Sequence, residues 1–198
     1  SAFYFDIRKD SIYCDRPDSL RRRAARTVLD HLHRCLATWL APMLCFTAEE
    51  AWQARFGADS SVHRQQFPVI PAEWRDEALA RRMVQIRVYR KFCTEAVEEQ
   101  RVGGAIKSSL QAQVEVTVLE GDLSWMSEEP WAELTIVSKA TFIRDQPIPS
   151  AVASLAPGRK CARCWRVLPE VGQQPGHPLL CARCADAVES GLVCEAAA

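Results

Sequence analysis

Apolar positions in the N-terminal half of the chain recur with the period of an α-helix. Between Ser19 and Pro42 they return every three or four residues, which predicts one long helix with a single buried face. The segment Thr47–Glu50 has the form of a capping box, with a hydroxyl at the N-cap and a glutamate at N3. It predicts a second, shorter helix from Thr47 to Gly57.

A third helix is predicted from near Asp76 to the Gly103-Gly104 pair, because paired glycines end helices. Its inward positions are Leu79, Met83, Ile86, Cys93 and Val97. Amphipathic helices in this succession are typical of a bundle. Residues 1–104 are therefore predicted to form an antiparallel helical bundle from which further helices are missing.

The hydrophobic period changes to two after residue 104. Val114, Val116 and Val118 alternate with polar residues, which predicts a half-buried strand. A second strand is predicted over 133–139, so that residues 105–145 form a small α/β unit. Residues 146–158 are rich in Pro, Ala and Ser and are predicted to be a linker.

Two Cys-x-x-Cys motifs follow, at residues 161–164 and 181–184, with sixteen residues between them. Four thiolates at this spacing can surround one tetrahedral ion, and the interval is typical of zinc ribbons. The segment 159–198 is too short to bury a core of its own, so a metal would supply its folding energy. One zinc ion per chain is predicted, held by Cys161, Cys164, Cys181 and Cys184, in a module tethered to the rest of the chain. A closed site of four cysteines leaves no position for a substrate, so this zinc is expected to be structural.

Other uses of these cysteines are less consistent with the rest of the chain. Five further cysteines make a total of nine, an odd number that argues against a set of disulfides and for a reducing, cytoplasmic compartment. A redox Cys-x-x-Cys normally occurs once, and iron–sulfur sites more often have other spacings. The alternative zinc ligand is His177. The five further cysteines are Cys14, Cys35, Cys45, Cys93 and Cys194.

Cations and one tryptophan surround the predicted ligands. The cations can offset the negative charge of a zinc tetrathiolate, and Trp165 can fill the core of the module. Equally, the arginines can bind phosphates while the indole of Trp165 stacks on an unpaired base. The cations concerned are Arg159, Lys160, Arg163, Arg166 and Arg183.

The composition of the chain is that of a folded protein without a membrane span. Of 198 residues 48% are hydrophobic, and the formal net charge is zero. The longest apolar run, Trp39–Phe46, is far shorter than the roughly twenty residues that a bilayer requires. The first residues lack an initiator methionine and a signal peptide, which predicts that the chain begins inside a longer protein. No phosphate-binding loop, nucleophile elbow or acid–base pair is recognisable, so no catalytic residue is predicted.

The basic residues nevertheless cluster along the sequence. Four arginines lie in the first two turns of the predicted long helix, where the helix dipole makes cations unfavourable. They form either a solvated face or a surface for a polyanion. With a basic stretch of the third helix and the zinc module, they give the predicted RNA-binding set: Arg21, Arg22, Arg23, Arg26, Arg87, Arg90, Lys91, Arg163, Trp165 and Arg166.

Nearly the whole chain resembles the C-terminal region of bacterial isoleucyl-tRNA synthetases. The bundle phrases are similar in the valyl and leucyl enzymes, whereas the terminal four-cysteine module after a small β unit points to isoleucine. The chain departs from the family at Lys107, often a glycine, and at Gln111, often a glutamate. The matching phrases, in collinear order, are Phe3–Asp10, Leu20–Ala25, Leu40–Trp52, Ser61–His63, Phe67-Pro68, Ser108–Ala112, Ile136–Ser138, Cys161–Trp165 and His177-Pro178.

This resemblance implies a mainly α fold in which the bundle and the zinc module grip the anticodon stem-loop of isoleucine tRNA. It also implies partner domains earlier in the same polypeptide, one that activates isoleucine with ATP and one that edits. Residues 1–198 alone are then expected to be inactive, and the complete protein to be a monomer that binds no membrane. The alternatives are a free-standing zinc ribbon that binds DNA or protein, and a bundle and ribbon that pack only against the rest of a larger chain.

Overall fold

The computed structural model describes residues 2–119, 123–126, 129–143 and 148–192. The helices are α1 (Ala2–Cys14), α2 (Leu20–Leu40), α3 (Cys45–Phe56), α4 (Glu77–Val102), α5 (Leu123–Met126), α6 (Trp131–Leu134) and α7 (Ala182–Glu189). The strands are β1 (Ala112–Thr117), β2 (Lys139–Ile143), β3 (Ser150–Leu155), β4 (Arg159–Lys160) and β5 (Val167–Leu168). The fold is therefore mainly α with small sheets, as predicted.

The chain divides into two compact units. One comprises Ser1–Ser19 together with Ala78–Ala198, and the other comprises Leu20–Glu77. The predicted boundaries at 104, 145 and 158 do not coincide with this division. The segment 1–104 is shared between the two units because α1 and α4 pack with the later strands, a contact that helical periodicity does not encode.

The unit of residues 20–77 contains α2, α3 and two short 3₁₀ helices, Val62–Arg64 and Ala72–Trp74. Its core is small and centres on Trp52, which is 4% exposed and donates a 2.7 Å hydrogen bond from Nε1 to Ser60 Oγ. The predicted long helix and the end of the following helix before Gly57 are confirmed.

The predicted capping box is wrong. Helix α3 begins at Cys45, and the Ala48 amide already donates to the Leu44 carbonyl 2.8 Å away, so helical hydrogen bonding starts before Thr47. Glu49, one residue before the predicted N3 glutamate, bonds to the segment after the helix: its carboxylate accepts from the Val62 amide at 2.8 Å and from the Ser61 hydroxyl at 3.0 Å.

The other unit is built on a three-stranded sheet of order β2-β1-β3. Strand β1 is parallel to β2, with Val114 opposite Ala140, and antiparallel to β3, with Val114 opposite Ala153. The predicted alternation is confirmed, since Val114 and Val116 are fully buried against α4. Helix α4 has the predicted extent, and Ile86 is among its buried residues.

Two predictions about this unit differ from the structure. Residues 133–134, the predicted start of the second strand, belong to helix α6, because Pro130 opens a turn in which the Leu134 amide donates to the Pro130 carbonyl. The strand β2 begins only at Lys139, and Ile136 has a positive φ of 57° at the reversal between them. Strand β3 lies inside the predicted linker 146–158, because its pairing with the distant strand β1 decides its structure and the local composition does not.

Helix α1 joins the sheet to the cysteine-rich segment. Ile7 is 2% exposed in the core that α4 and β1 share, and Arg8 pairs with Glu133 of α6 at 2.9 Å. Cys14, at the other end of α1, packs with the four cysteines of the two motifs. Among the described residues, no helix has the length and apolar character needed to cross a membrane.

Candidate metal centre and nucleic-acid interface

The two Cys-x-x-Cys motifs bring their four sulfurs together. All four side chains are buried, and their Sγ atoms lie within 4.8 Å of one another. The Sγ atoms of Cys164 and Cys181 are 3.8 Å apart. A tetrahedron with Zn–S bonds of about 2.3 Å has its sulfurs about 3.8 Å apart, so the site has the size of a zinc tetrathiolate.

Local backbone geometry positions each pair of cysteines. The first motif follows β4 in a tight turn, in which the Cys161 amide donates to the Arg166 carbonyl at 2.8 Å and the Trp165 amide donates to the Cys161 carbonyl at 3.0 Å. In the second motif Cys181 is the N-cap residue of α7, and its amide donates to Cys161 Sγ at 3.4 Å. Amide donors to thiolate sulfur are typical of structural metal sites.

The electrostatics of the cluster favour a divalent cation. Hydrogen bonds from Cys181 and Cys184 lower the pKa of the Cys164 thiol, while hydrogen bonding to Cys164 raises the pKa of Cys184. Sulfurs this close therefore retain shared protons unless a cation compensates their charge. The four cysteines fit zinc in number, element and spacing, and together they would close its coordination sphere.

Among the described residues, the alternative ligand His177 and the further cysteines are not part of the four-sulfur cluster. His177 lies 3.6 Å from Glu189 through Nε2 and is not in the four-sulfur cluster. Cys93 lies on the buried face of α4, where burial raises the pKa of its thiol to about 12. Cys35 is buried in α2, Cys45 is exposed, and Cys194 lies outside the described residues.

The module is docked on its neighbours, which differs from the predicted tether. The Val167 amide of β5 donates to Ser138 Oγ at 2.7 Å, and the Ser138 hydroxyl donates in turn to the Leu110 carbonyl at 2.5 Å. Arg16, just after α1, pairs with Asp186 of α7 at 3.1 Å. The linker prediction depended on composition alone, which carries no information about these contacts.

Trp165 lies at the surface of the first motif. Its side chain is 59% exposed and is not among the residues that pack around the four cysteines, so its interpretation as core is wrong. Its backbone has a positive φ of 65°, a region that side chains with a Cβ rarely adopt. Lys160 Nζ lies 5.3 Å from the ring centroid, so a cation already covers part of the indole.

A cavity of about 490 Å³ lies beside Trp165, between α1, α6 and the first motif. Its wall is largely apolar and includes Ile7, Leu110 and Ile136. Arg166 also lines it, and within the described part of the chain the Nε atom of Arg166 is buried without a hydrogen-bond partner. Aromatic and apolar walls with a few polar groups are features of small-molecule binding sites in general.

The predicted basic contacts fall in both units. On α2, Arg21, Arg23 and Arg26 are exposed and Arg22 is half-buried. In the other unit the guanidinium groups of Arg87 and Arg90 lie 5.3 and 5.1 Å from the Phe3 ring centroid, and Lys91 pairs with Glu95 at 3.8 Å. Arg90 Nε also donates to the Leu134 carbonyl at 2.8 Å, so this side chain holds α4 against α6.

Arg163 contacts α1 rather than only facing solvent. Its Nη2 donates to the Tyr13 carbonyl at 3.0 Å, and its Nη1 donates to the Cys14 carbonyl and lies 3.7 Å from Cys184 Sγ. The sequence did not predict that the Tyr13 and Cys14 carbonyls, or Ser138, would contact the zinc module. The one available signal was the arginine repeated before the second cysteine of each motif.

Comparison with known protein families gives two matches. Residues 1–116 match the family described as the anticodon-binding domain of tRNA ligase, and residues 158–187 match the zinc finger found in FPG and IleRS. The first match covers more than half of the chain.

Curated relatives extend over nearly all of the chain. Isoleucine–tRNA ligase of Gluconobacter oxydans is 53% identical over 196 residues, which is 96% of this chain and 20% of the relative. The corresponding ligases of Agrobacterium fabrum and Rhodopseudomonas palustris are 46% and 40% identical, each over 95% of this chain and 21% and 20% of their own lengths. The chain thus spans about one fifth of the length of the curated relatives it matches.

Proposed function

The chain belongs to the anticodon-binding domain family of tRNA ligases, and we propose that it binds the anticodon stem-loop of isoleucine tRNA within an isoleucine–tRNA ligase. In this proposal the zinc module and the basic helices contact RNA. The preceding domains of the same polypeptide activate isoleucine with ATP, attach it to the tRNA and edit errors. The complete protein is a cytoplasmic monomer whose anticodon-binding part is an antiparallel bundle.

The observation that carries the proposal is the exposure and backbone conformation of Trp165. A large indole at a positive φ and 59% exposed costs stability twice, through the backbone and through apolar exposure. Strained residues of this kind cluster at functional sites. Splayed anticodon bases need a stacking surface, and an exposed tryptophan flanked by Lys160 and Arg166 offers one with cations for the adjoining phosphates.

In this proposal the basic residues supply affinity for RNA in general, and the zinc module supplies discrimination between tRNAs. Arg21, Arg23 and Arg26 are exposed on α2 and suit phosphate contacts, which are sequence-independent. Zinc takes no part in chemistry, because four cysteines leave it no open position. It would hold the turn that carries Trp165.

The test is RNA binding by a Trp165→Ala variant whose zinc content is measured in the same preparation. We expect one zinc per chain and a loss of about 1–3 kcal/mol in affinity for the isoleucine tRNA stem-loop. Trp74→Ala is the control, because Trp74 is also exposed, at 55%, but lies in the unit of residues 20–77 and outside the predicted set. A Trp165 variant that keeps its zinc and binds as tightly as the parent would contradict the stacking role.

A free-standing zinc ribbon is less consistent with these observations. The match to the anticodon-binding domain covers residues 1–116, well before the cysteines, and the ligase relatives cover the bundle and the module together. Isoleucine-dependent pyrophosphate exchange should be absent from residues 1–198 alone. Such activity in a clean preparation would overturn the assignment of catalysis to the preceding domains.

A further inference from the structure

The two halves of the metal site share one tetrapeptide, Cys-Ala-Arg-Cys, at 161–164 and 181–184. Each copy places an arginine directly before its second metal ligand. Both guanidinium groups contact the same partner, the C-terminal end of α1, although that helix lies about 150 residues or more earlier in the sequence. Four cysteine ligands alone can bind zinc, so the metal site does not require that both arginines contact α1.

Arg163 acts on the backbone of α1. The carbonyl groups of the last residues of a helix have no partners within the helix, and a cation stabilises the negative end of the helix dipole. Helix α1 has no basic residue in its own last turn. Arg163 supplies the missing donor, since it contacts the carbonyls of Tyr13 and Cys14 while its Nη1 lies 3.7 Å from Cys184 Sγ.

Arg183 acts on the side chains at the same end. Its Nη1 and Nη2 donate to the two carboxylate oxygens of Asp10 at 2.5 and 2.8 Å, and Nη1 lies 3.1 Å from Asp15 Oδ1. Asp15 is only 6% exposed. Two carboxylates near a helix C-terminus are unfavourable by themselves, so the bidentate arginine is needed to offset their charge.

We propose that the two arginines form a metal-dependent clamp that fixes the end of α1, residues 10–15, and that Arg163 and Arg183 are positioning residues of the metal site. Metal binding fixes the conformation of the two cysteine turns, and these turns fix the positions of the two guanidinium groups. Coupling of this kind is reciprocal, so the acids of α1 must also strengthen retention of the metal. The clamped residues include Tyr13 and Cys14, which line the cavity together with Trp165. The proposal concerns the protein without RNA and goes beyond the proposed function.

The experiment uses Asp10→Asn in the zinc-loaded chain, because Asp10 is no ligand and lies outside the module. Zinc transfer to a chromogenic chelator should be at least severalfold faster than in the parent. Amide hydrogen exchange over residues 8–15 should rise by about tenfold or more, while exchange in α3 stays unchanged. A helix residue that stabilised α1 alone would leave the rate of zinc transfer unaltered.

Arg183→Gln and Arg16→Gln complete the test. Arg183→Gln should reproduce both effects, and adding Asp10→Asn to it should produce little further change, since the two groups act as one pair. Arg16→Gln is the matched control, because Arg16 also pairs with an aspartate of α7, but its side chain and that of Asp186 are 37% and 60% exposed. It should alter neither readout.

If Arg183→Gln does not fold, the Asp10→Asn result decides alone. Parental zinc transfer by Asp10→Asn would overturn the clamp. Because no RNA is present, a failure here leaves the anticodon-binding proposal intact, and a failure of RNA binding leaves the clamp intact.

Discussion

Trp165 combines an exposed side chain with a left-handed backbone conformation. A left-handed backbone costs a residue with a Cβ about 1–2 kcal/mol, and glycine avoids this cost. The turn between Cys161 and Arg166 would therefore accept glycine more readily than tryptophan.

We accordingly expect Trp165→Gly to keep its zinc and to unfold at the same or a higher temperature than the parent, while it binds the isoleucine tRNA stem-loop more weakly. Thermal unfolding with metal analysis gives the first result, and RNA titration gives the second. A variant that loses zinc or unfolds earlier would show that the indole is a structural part of the turn.

The ligand cysteines carry a second prediction at the level of single residues. Cys164→Ser removes one of four buried sulfurs and leaves a poorer ligand, so zinc content should fall well below one per chain. Helices α2 and α3 should persist, because their small core around Trp52 contains none of these residues. Metal analysis and hydrogen exchange measure the two effects, and loss of protection in α3 would contradict the separation of the two units.

Helices and strands were predictable where a local pattern decided them. The periodic segments of α2 and α4, the alternating valines of β1 and the spacing of the cysteines gave elements that the structure confirms. Prediction failed where a distant partner or a turn outweighed the pattern. Thr47 and Glu50 do not cap α3, which already begins at Cys45, and residues 133–134 lie in a helix that follows Pro130 instead of in a strand.

Glu49 makes the stability of the smaller unit depend on pH. Burial raises its pKa, but the Val62 amide, Ser61 and Gln53 outweigh that effect and hold the pKa below its ordinary value. A lowered pKa in the folded state means that the stabilisation is complete at neutral pH. It is lost as the pH falls from about 4.3, the ordinary value for glutamate, through the lowered pKa.

We therefore expect Glu49→Gln to destabilise residues 20–77 at neutral pH and to remove part of their acid sensitivity. Hydrogen exchange in α3 at neutral and acidic pH measures both. Equal protection in parent and variant at neutral pH would show that the contacts of Glu49 contribute nothing. His63, whose Nε2 lies 3.2 Å from the Cys45 carbonyl, also bridges to α3 and serves for comparison through His63→Gln.

At the scale of the whole molecule, the most consequential contacts join residues that are far apart in sequence. Arg183 and Asp10 are 173 positions apart, and no local pattern relates them. The four cysteines could be predicted because their spacing carries the chemistry, whereas the docking of their module on α1 and the exposure of Trp165 required the three-dimensional structure. In the structure the metal module packs against α1.

The exposed arginines of α2 lead to a prediction about RNA binding by the whole molecule. If the exposed arginines of α2 contact phosphates, then RNA affinity should fall steeply with salt, and Arg26→Gln should reduce the slope of log K against log salt by about one charge. The Arg26→Gln variant should bind all tRNAs more weakly, and by a similar factor. A slope that is unchanged in Arg26→Gln would remove α2 from the RNA-binding surface.

The most direct test of the central claim is a titration of the zinc-loaded chain with two anticodon stem-loops at one fixed salt concentration. One carries the isoleucine anticodon, and the other has the same stem with the anticodon bases changed. Because single-stranded bases are distinguished by hydrogen bonds to their edges, each contributing about 0.5–1.5 kcal/mol, we expect the isoleucine stem-loop to bind about tenfold more tightly. Trp165→Ala, which removes the stacking surface, should bind it more weakly by about 1–3 kcal/mol. Equal affinity of the parent for both stem-loops, or no binding to either, would contradict recognition of the anticodon by this chain.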